Sequence, residues 1–199
     1  CDHLFYSTND GQVVCLSKKT AGDLVLTKEM LYYSLAHNEA AIGGQWGLLY
    51  RYQWGDAAPA QIGQKDLSYR QMAYLSDEEL IVAASPIAMD ERKKIQLYKL
   101  NTTSGEQQLL TEKVIAPLPM NGGVYFQIND GAVWYHSASD KTLYIQPLAG
   151  GACQMVDTIG VKEQMQIVEG GFYFVGMDDH LYWMALNEQN AVDISGYVV

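Results

Sequence analysis

The sequence lacks long hydrophobic runs, is poor in cysteine and positive charge, and shows few stretches of helical periodicity; each shortage removes a class of protein. Its longest clean apolar stretch is Leu80-Ile81-Val82-Ala83-Ala84, far short of the roughly 20 residues that a membrane-spanning helix needs. Direct membrane insertion is not expected. Cys1, Cys15 and Cys153 are too few and too scattered for a disulfide framework, and no CxxC pair exists. Thirteen Lys and Arg against 23 Asp and Glu give a net charge of -10, which repels polyanions, so nucleic acid and bare anionic membrane are poor partners. The run Arg92-Lys93-Lys94 is flanked by Asp90 and Glu91 and reads as a solvated loop.

Catalytic signatures are missing as well. There is no Gly-x-Ser-x-Gly elbow and no glycine-rich phosphate loop. His136 and Ser137 are adjacent, and neighbours on a strand point to opposite faces, so they form no nucleophile-base pair. His3, His37 and His180 lack metal-ligand spacing with cysteines or carboxylates. Asp130, Asp178 and Asp179 fall in expected turns, where Asp is favoured for its backbone geometry. Asn101-Thr102-Thr103 fits a glycosylation acceptor, a pattern common by chance. No catalytic residue, metal or cofactor is expected.

What the sequence does hold is a repeat. With 199 residues, 48% of them hydrophobic, it can form one domain over 1–199, and 14 Tyr with 18 Gly favour an all-β chain rich in tight turns. Residues 131–151, GAVWYHSASDKTLYIQPLAGG, read as a strand, a polar turn, a second strand and a glycine-rich turn. Leu143 and Ile145 face one way and Tyr144 and Gln146 the other, the period of a hairpin. The same hairpin recurs: residues 3–8 with 12–16, 30–34 with 47–52, 79–84 with 95–100, and 171–175 with 180–186. The tight turn Asn9-Asp10-Gly11 of the first would set Cys15 opposite Tyr6.

The second strand of each hairpin carries Leu-Tyr, as Leu49-Tyr50, Leu97-Tyr98, Leu143-Tyr144 and Leu181-Tyr182, with successive tyrosines 48, 46 and 38 residues apart. Val14-Cys15 holds the corresponding place in the first unit. Such a period is that of a propeller blade. Strands expected at 23–27, at 107–111 and 123–128, at 153–156 and 165–168, and at 191–194 are read as completing the hairpin before them, and 67–75 is read as a further strand. A single small sheet cannot bury both of its faces, so the units must pack face to face about an axis. The expected fold is an all-β propeller of about five blades with three to four antiparallel strands each, or a part of a larger ring. One tyrosine per repeat at a fixed place reads as packing between blades rather than as a ligand-stacking ring.

The segments LFYSTNDGQVVCL, LYYS with GLLYRY, VWYHSASDKTLYIQPLAGG and FYFVGMDDHLYWMAL resemble the YWTD-type propeller repeats of lipoprotein receptors. They are more similar still to the related bacterial repeats of uncharacterised envelope proteins. The resemblance spans nearly the whole chain, but Trp134-Tyr135-His136-Ser137 lacks the Asp that ends the YWTD motif, so no role of that Asp carries over. It implies a location outside the cell or at the cell envelope. Independently, Cys1 at the first position of a chain that does not begin with Met reads as a candidate lipid-bearing residue, the alternative being a fragment of a longer protein.

Two connections are longer than a hairpin requires, residues 35–46 and 85–94, and both join the paired strands of their units, so they are expected on one rim. Long loops on a rigid scaffold tend to carry function. His37, Asn38, Glu39, Gln45 and Trp46 on one, with Asp90, Glu91 and Arg92 on the other, form the candidate binding patch. The expected function is that of a non-enzymatic module recognising a protein or a glycan. The alternative is a glycoside hydrolase or lyase with two carboxylates in the channel, separated by about 5 to 9.5 Å.

Overall fold

The computed structural model describes residues 4–7, 11–18, 21–36, 47–87, 94–118, 123–156, 161–168, 170–185, 188 and 190–197. The chain divides into two compact units, Cys1–Glu112 and Lys113–Val199. In the first unit, strands β1 (Leu4–Ser7) and β2 (Val13–Ser17) form a two-stranded hairpin. Strands β3 (Ala21–Leu26), β4 (Met30–Ala36), β5 (Gly47–Gln53) and β6 (Ala60–Ile62) follow as a sheet in chain order. The next sheet holds β7 (Leu67–Ser76), β8 (Glu79–Pro86), β9 (Gln96–Asn101) and β10 (Gln107–Leu109). These two sheets meet at one backbone pairing, Gly47 with Tyr69.

The second unit repeats the pattern. Short strands β11 (Ile115–Ala116) and β12 (Phe126–Asn129) both pair with β13 (Ala132–Ser137), which is followed by β14 (Leu143–Pro147) and β15 (Gln154–Met155). The last sheet is β16 (Val161–Val168), β17 (Gly171–Gly176), β18 (Leu181–Ala185) and β19 (Val192–Asp193), ending in a 3-10 turn at Ser195–Tyr197. The fold is therefore all-β, a set of antiparallel meanders of the kind that forms propeller blades. Among the described residues no helix is long and apolar enough to cross a membrane.

The hairpins stand where the repeat places them, but the last four are each the middle of a sheet, not the start, and the first is a two-stranded sheet by itself. The segments at 23–27, 123–128 and 165–168 do not complete the hairpin before them. They lie in β3, β12 and β16, which pair with the hairpin that follows. The reason is local. Tight connections at 27–29, 77–78 and 130–131 hold leading strands to their successors. Thr27 Oγ1 accepts the Met30 N–H at 2.9 Å in the first of these, and Asp130 (φ 47) with Gly131 (φ 71) makes the left-handed two-residue turn that matches strand twist in the third. Residues 67–75 form the strand β7 as expected.

Period-two alternation sends each sheet's side chains to two neighbours. Leu31, Tyr33, Leu35 and Tyr52 bury against Leu4, Tyr6 and Leu16 of the first hairpin. Tyr32 and Leu49, on the opposite face of the same sheet, bury with Leu67, Tyr69, Met72, Leu80 and Val82 of the next. In the second unit Trp134 and Leu143 pack with Phe172, Phe174, Tyr182 and Met184. Each such side chain contributes about 1.5–3 kcal/mol by leaving water. Polar ties cross the same seams: the Met72 N–H donates to Asp23 Oδ2, and Arg51 Nη1 donates to the Thr102 carbonyl at 2.9 Å.

The repeat tyrosines are packing residues. Tyr50, Tyr144 and Tyr182 stack on Tyr33, Tyr135 and Phe174 across their hairpins at 5.8, 5.6 and 5.3 Å between ring centroids. Tyr98 packs into the core between the two four-stranded sheets of the first unit. Cys15 departs from expectation by one residue: it pairs with Phe5, not Tyr6, because the register shifts between Leu4 and Phe5. A one-residue difference moves it to the other face of the hairpin.

Candidate functional site

His37, Asn38, Glu39, Gln45, Trp46, Asp90, Glu91 and Arg92 all lie outside the described residues. Their connections link β4 to β5 and β8 to β9. The corresponding turns of the second unit are short and are built on an Asp four residues before the repeat tyrosine. Tyr144 donates to Asp140 Oδ2 at 2.8 Å, and Tyr182 donates to Asp178 Oδ2 at 2.6 Å. Asp140 also takes Lys113 Nζ at 3.0 Å and the Thr142 N–H. Partial burial opposes its ionisation, but hydrogen bonds from Ser137, Tyr144 and Lys113 outweigh it and hold its pKa well below the usual carboxylate range. These aspartates are latches on their turns. The spacing Asp-x-x-x-Tyr could have identified them from sequence.

The groups with chemical potential are engaged or enclosed. Asp23 sits on the leading strand β3 and holds the Met72 N–H; burial pushes its pKa up. Ser137 Oγ lies 3.1 Å from Ser139 Oγ. His136 occupies the Trp134 face of β13, opposite Leu143 and 7% exposed. Burial lowers its pKa below the ordinary histidine value, against the nearby Lys141 backbone and the Asp140 charge. Among the described residues no group of three or more His, Cys, Asp or Glu is arranged to hold a metal ion.

The geometry of His136 sets a pH dependence. Below about pH 6.5 the unfolded chain takes up a proton that the folded chain refuses, so stability falls as pH drops, until the lowered folded pKa is passed. Replacing His136 by Phe is expected to flatten the stability profile between about pH 7 and 5. Urea midpoints measured across that range check it, with Asp140 and Lys141, the charged groups nearest the ring, left in place.

A built surface is present on the last sheet. Along β17 and β18 the inward residues are Phe172, Phe174, Tyr182 and Met184, which leaves Tyr173, Val175, Leu181, Trp183 and Ala185 on the other face. Tyr173 pairs with Trp183 across the strands, their rings 4.6 Å apart and tilted by 45°, and Trp183 pairs in turn with Val192. Tyr173 is 39% exposed and Val192 51%. Gly171 is the seat of this strip: a Cβ there would strike the Trp183 ring and the Met184 carbonyl. Ion pairs stand at the turn end of the same sheet, His180 Nδ1 with Asp193 Oδ2 at 2.7 Å and Lys162 Nζ with Asp179 Oδ1. Asp193 is lowered to about 2, first by the Ser195 backbone N–H, and its hydrogen bond and charge raise His180. An apolar strip with aromatic centre and charged margin has the composition of a recognition surface. Its sequence signal is FYF followed by LYW, aromatics on both faces of one hairpin.

No protein-family model matches this chain, and no curated protein matches it. Solved structures do. The computationally designed Ika4 protein superposes with a TM-score of 0.53 at 11% identity, over 86% of this chain and 94% of that one. YCF48 bound to D1 peptide gives 0.54 at 11% identity, over 89% and 53%, and an oligogalacturonate lyase in complex with manganese gives 0.55 at 11%, over 89% and 52%. This chain spans about half the length of the last two. At such identity the likeness is one of fold, and the fold of these proteins is the β-propeller.

Proposed function

We propose that this chain is an interaction module that binds a protein surface, with the Tyr173, Trp183 and Val192 strip as its contact face. The observation that carries the proposal is that three consecutive strands place Tyr173, half-buried Trp183 and Val192 side by side on a face that Tyr173 and Val192 open to solvent, while Phe172, Phe174, Tyr182 and Met184 pack the other face of the same hairpin. Exposed apolar patches of that kind mark protein contacts. The similarity of fold to YCF48, whose structure carries a bound peptide, supports the reading at the level of architecture. The long connections with His37, Trp46 and Asp90 belong to the proposal as a second contact region.

A photo-crosslinking amino acid at position 173 is expected to give a discrete protein adduct, and the same amino acid at Tyr74, which is 44% exposed in the other unit, none. Adding Val192→Glu is expected to abolish the adduct. Equal crosslinking from both positions, or none from 173, removes the reading. Binding to oligosaccharides that depends on Trp183 would transfer the site to a glycan.

A further inference from the structure

The first unit carries an aromatic corner that the repeat does not explain. Tyr52, near the end of β5, is buried toward Tyr6 of the first hairpin. Trp54 follows in the turn after β5, and its ring meets both. The ring centroids stand 5.5 Å apart from Tyr6 to Tyr52, 5.2 Å from Tyr6 to Trp54 and 5.7 Å from Tyr52 to Trp54, with planes inclined by 42°, 52° and 74°. All three residues belong to the unit Cys1–Glu112. Four places after the other repeat tyrosines the sequence has Thr102, Leu148 and Leu186, so Trp54 is particular to this sheet and not part of the repeated packing.

The turn fixes the indole while leaving it accessible. The Trp54 backbone N–H donates to the Glu29 carbonyl at 3.2 Å, and its Nε1 donates to the Lys28 carbonyl at 3.0 Å. Trp54 is nonetheless 37% exposed. The hydroxyls of Tyr6 and Tyr52 are bonded to each other at 2.9 Å. With its indole N–H and its hydroxyls engaged in this way, the corner offers ring faces more than hydrogen-bond partners. A sugar, which needs partners for its hydroxyls, is poorly served by such a surface. A methylated ammonium group needs none, because its charge is spread over methyl groups and is attracted by electron-rich ring faces, Trp best and Tyr next.

Geometry and charge agree with that ligand. The three centroids form a nearly equilateral triangle, so a cation up to about 5 Å above its centre lies within about 6 Å of every ring, the reach of a cation-π contact. Asp56 is exposed in the same turn, which the Asp56 N–H closes on the Gln53 carbonyl at 3.0 Å. The Tyr52 phenol is pushed up first by its bond to Tyr6, then by burial, and also by the charge of Asp56, which puts that carboxylate within electrostatic reach of the corner. On the two turns that meet here Lys28 stands against Glu29 and Asp56, and the whole chain carries -10, a field that draws cations.

We propose that the corner of Tyr6, Tyr52 and Trp54, with Asp56 as its counter-charge, binds a methylated ammonium group, carried by a small molecule or by a methylated lysine side chain. It shares no residue with the Tyr173 strip, so the two readings stand or fall separately.

Isothermal titration calorimetry tests it with choline, with a peptide carrying one trimethyl-lysine, and with the neutral tert-butyl analogue of choline, in which carbon replaces nitrogen. Choline is expected to bind, and the neutral analogue to bind about tenfold more weakly or worse. Trp54→Leu is expected to weaken choline binding by about tenfold or more with an unchanged circular dichroism spectrum, and Trp54→Phe, which keeps a lesser ring, by less. Asp56→Asn is expected to weaken binding and to flatten its salt dependence. Tyr74→Leu, at an exposed tyrosine of the same unit, is expected to leave it unchanged. A peptide bound more tightly than choline assigns the ammonium group to a protein side chain, and equal affinity assigns it to a small molecule; both support the corner. Absence of binding by either cation overturns the proposal. Equal affinity for choline and its neutral analogue does so too, since the contact is then merely apolar, and this comparison uses the unaltered protein and needs no variant to fold. Choline affinity that survives in a folded Trp54→Leu variant also overturns it, as does Trp54-dependent binding of a neutral oligosaccharide without binding of either cation.

Discussion

Replacing Trp134 by Ala is expected to destabilise the second unit by about 3–5 kcal/mol, the range for removing a large aromatic from a packed core. Trp134 is 1% exposed and meets Phe172 edge to face, ring centroids 5.0 Å apart at 75°. It stands in a core with Leu143, Val161 and Met184, which are held on separate strands and cannot all close on the space left behind. Among the described residues its indole Nε1 has no hydrogen-bond partner. That makes Trp134→Phe informative. The smaller ring gives up contact area but removes a buried donor whose desolvation costs about 1–3 kcal/mol, so it is expected to cost far less than Trp134→Ala. Urea unfolding followed by far-ultraviolet circular dichroism measures both. If the two units unfold in separate transitions, only the transition of residues 113–199 is expected to move.

Gly171→Val is expected to disrupt the last sheet, at a cost at or above the usual 1–3 kcal/mol of overpacking. Gly171 pairs with Ala185 at the start of β17 and is buried. A side chain there meets the Met184 carbonyl, which is backbone on the neighbouring strand and cannot rotate away, and it meets the ring of Trp183. The strand must separate from β18 or Trp183 must leave its place. Either outcome also spoils the contact face, so the variant is expected to lose crosslinking at position 173 together with stability. Gly171→Ala meets the same atoms with a smaller group and is expected to fall between the two. A heat-denaturation series across Gly, Ala and Val at this position reads the effect directly.

The hairpins were legible because their causes are local. Asp130-Gly131 turns the chain within two residues, and the alternation of Leu143, Tyr144, Ile145 and Gln146 assigns faces without knowledge of any neighbour. The Leu-Tyr spacing then gave the blade period. The membership of β3, β12 and β16 is not legible in sequence, because each lies between two hairpins and is compatible with either; short turns before β4 and β13 decide it for the first two. The candidate site divides similarly. The rim residues from His37 to Arg92 rest on loop length, and they fall outside the described residues. The Tyr173 and Trp183 strip is not legible in sequence, because an aromatic on the second face of a strand looks no different from Tyr32 or Trp134.

Turn residues and period-two alternation act over a few neighbouring positions, and they are enough to make this chain a series of short antiparallel hairpins repeated at blade length. Tertiary structure alone decided which sheet each linking strand joins and which face of the first hairpin turns outward. It also decided that Tyr173 is exposed where its equivalent Trp134 is buried. Those are outcomes of packing between sheets. The free energy of burying a ring depends on whether another sheet is there to cover it, and that is a property of neighbours distant in sequence.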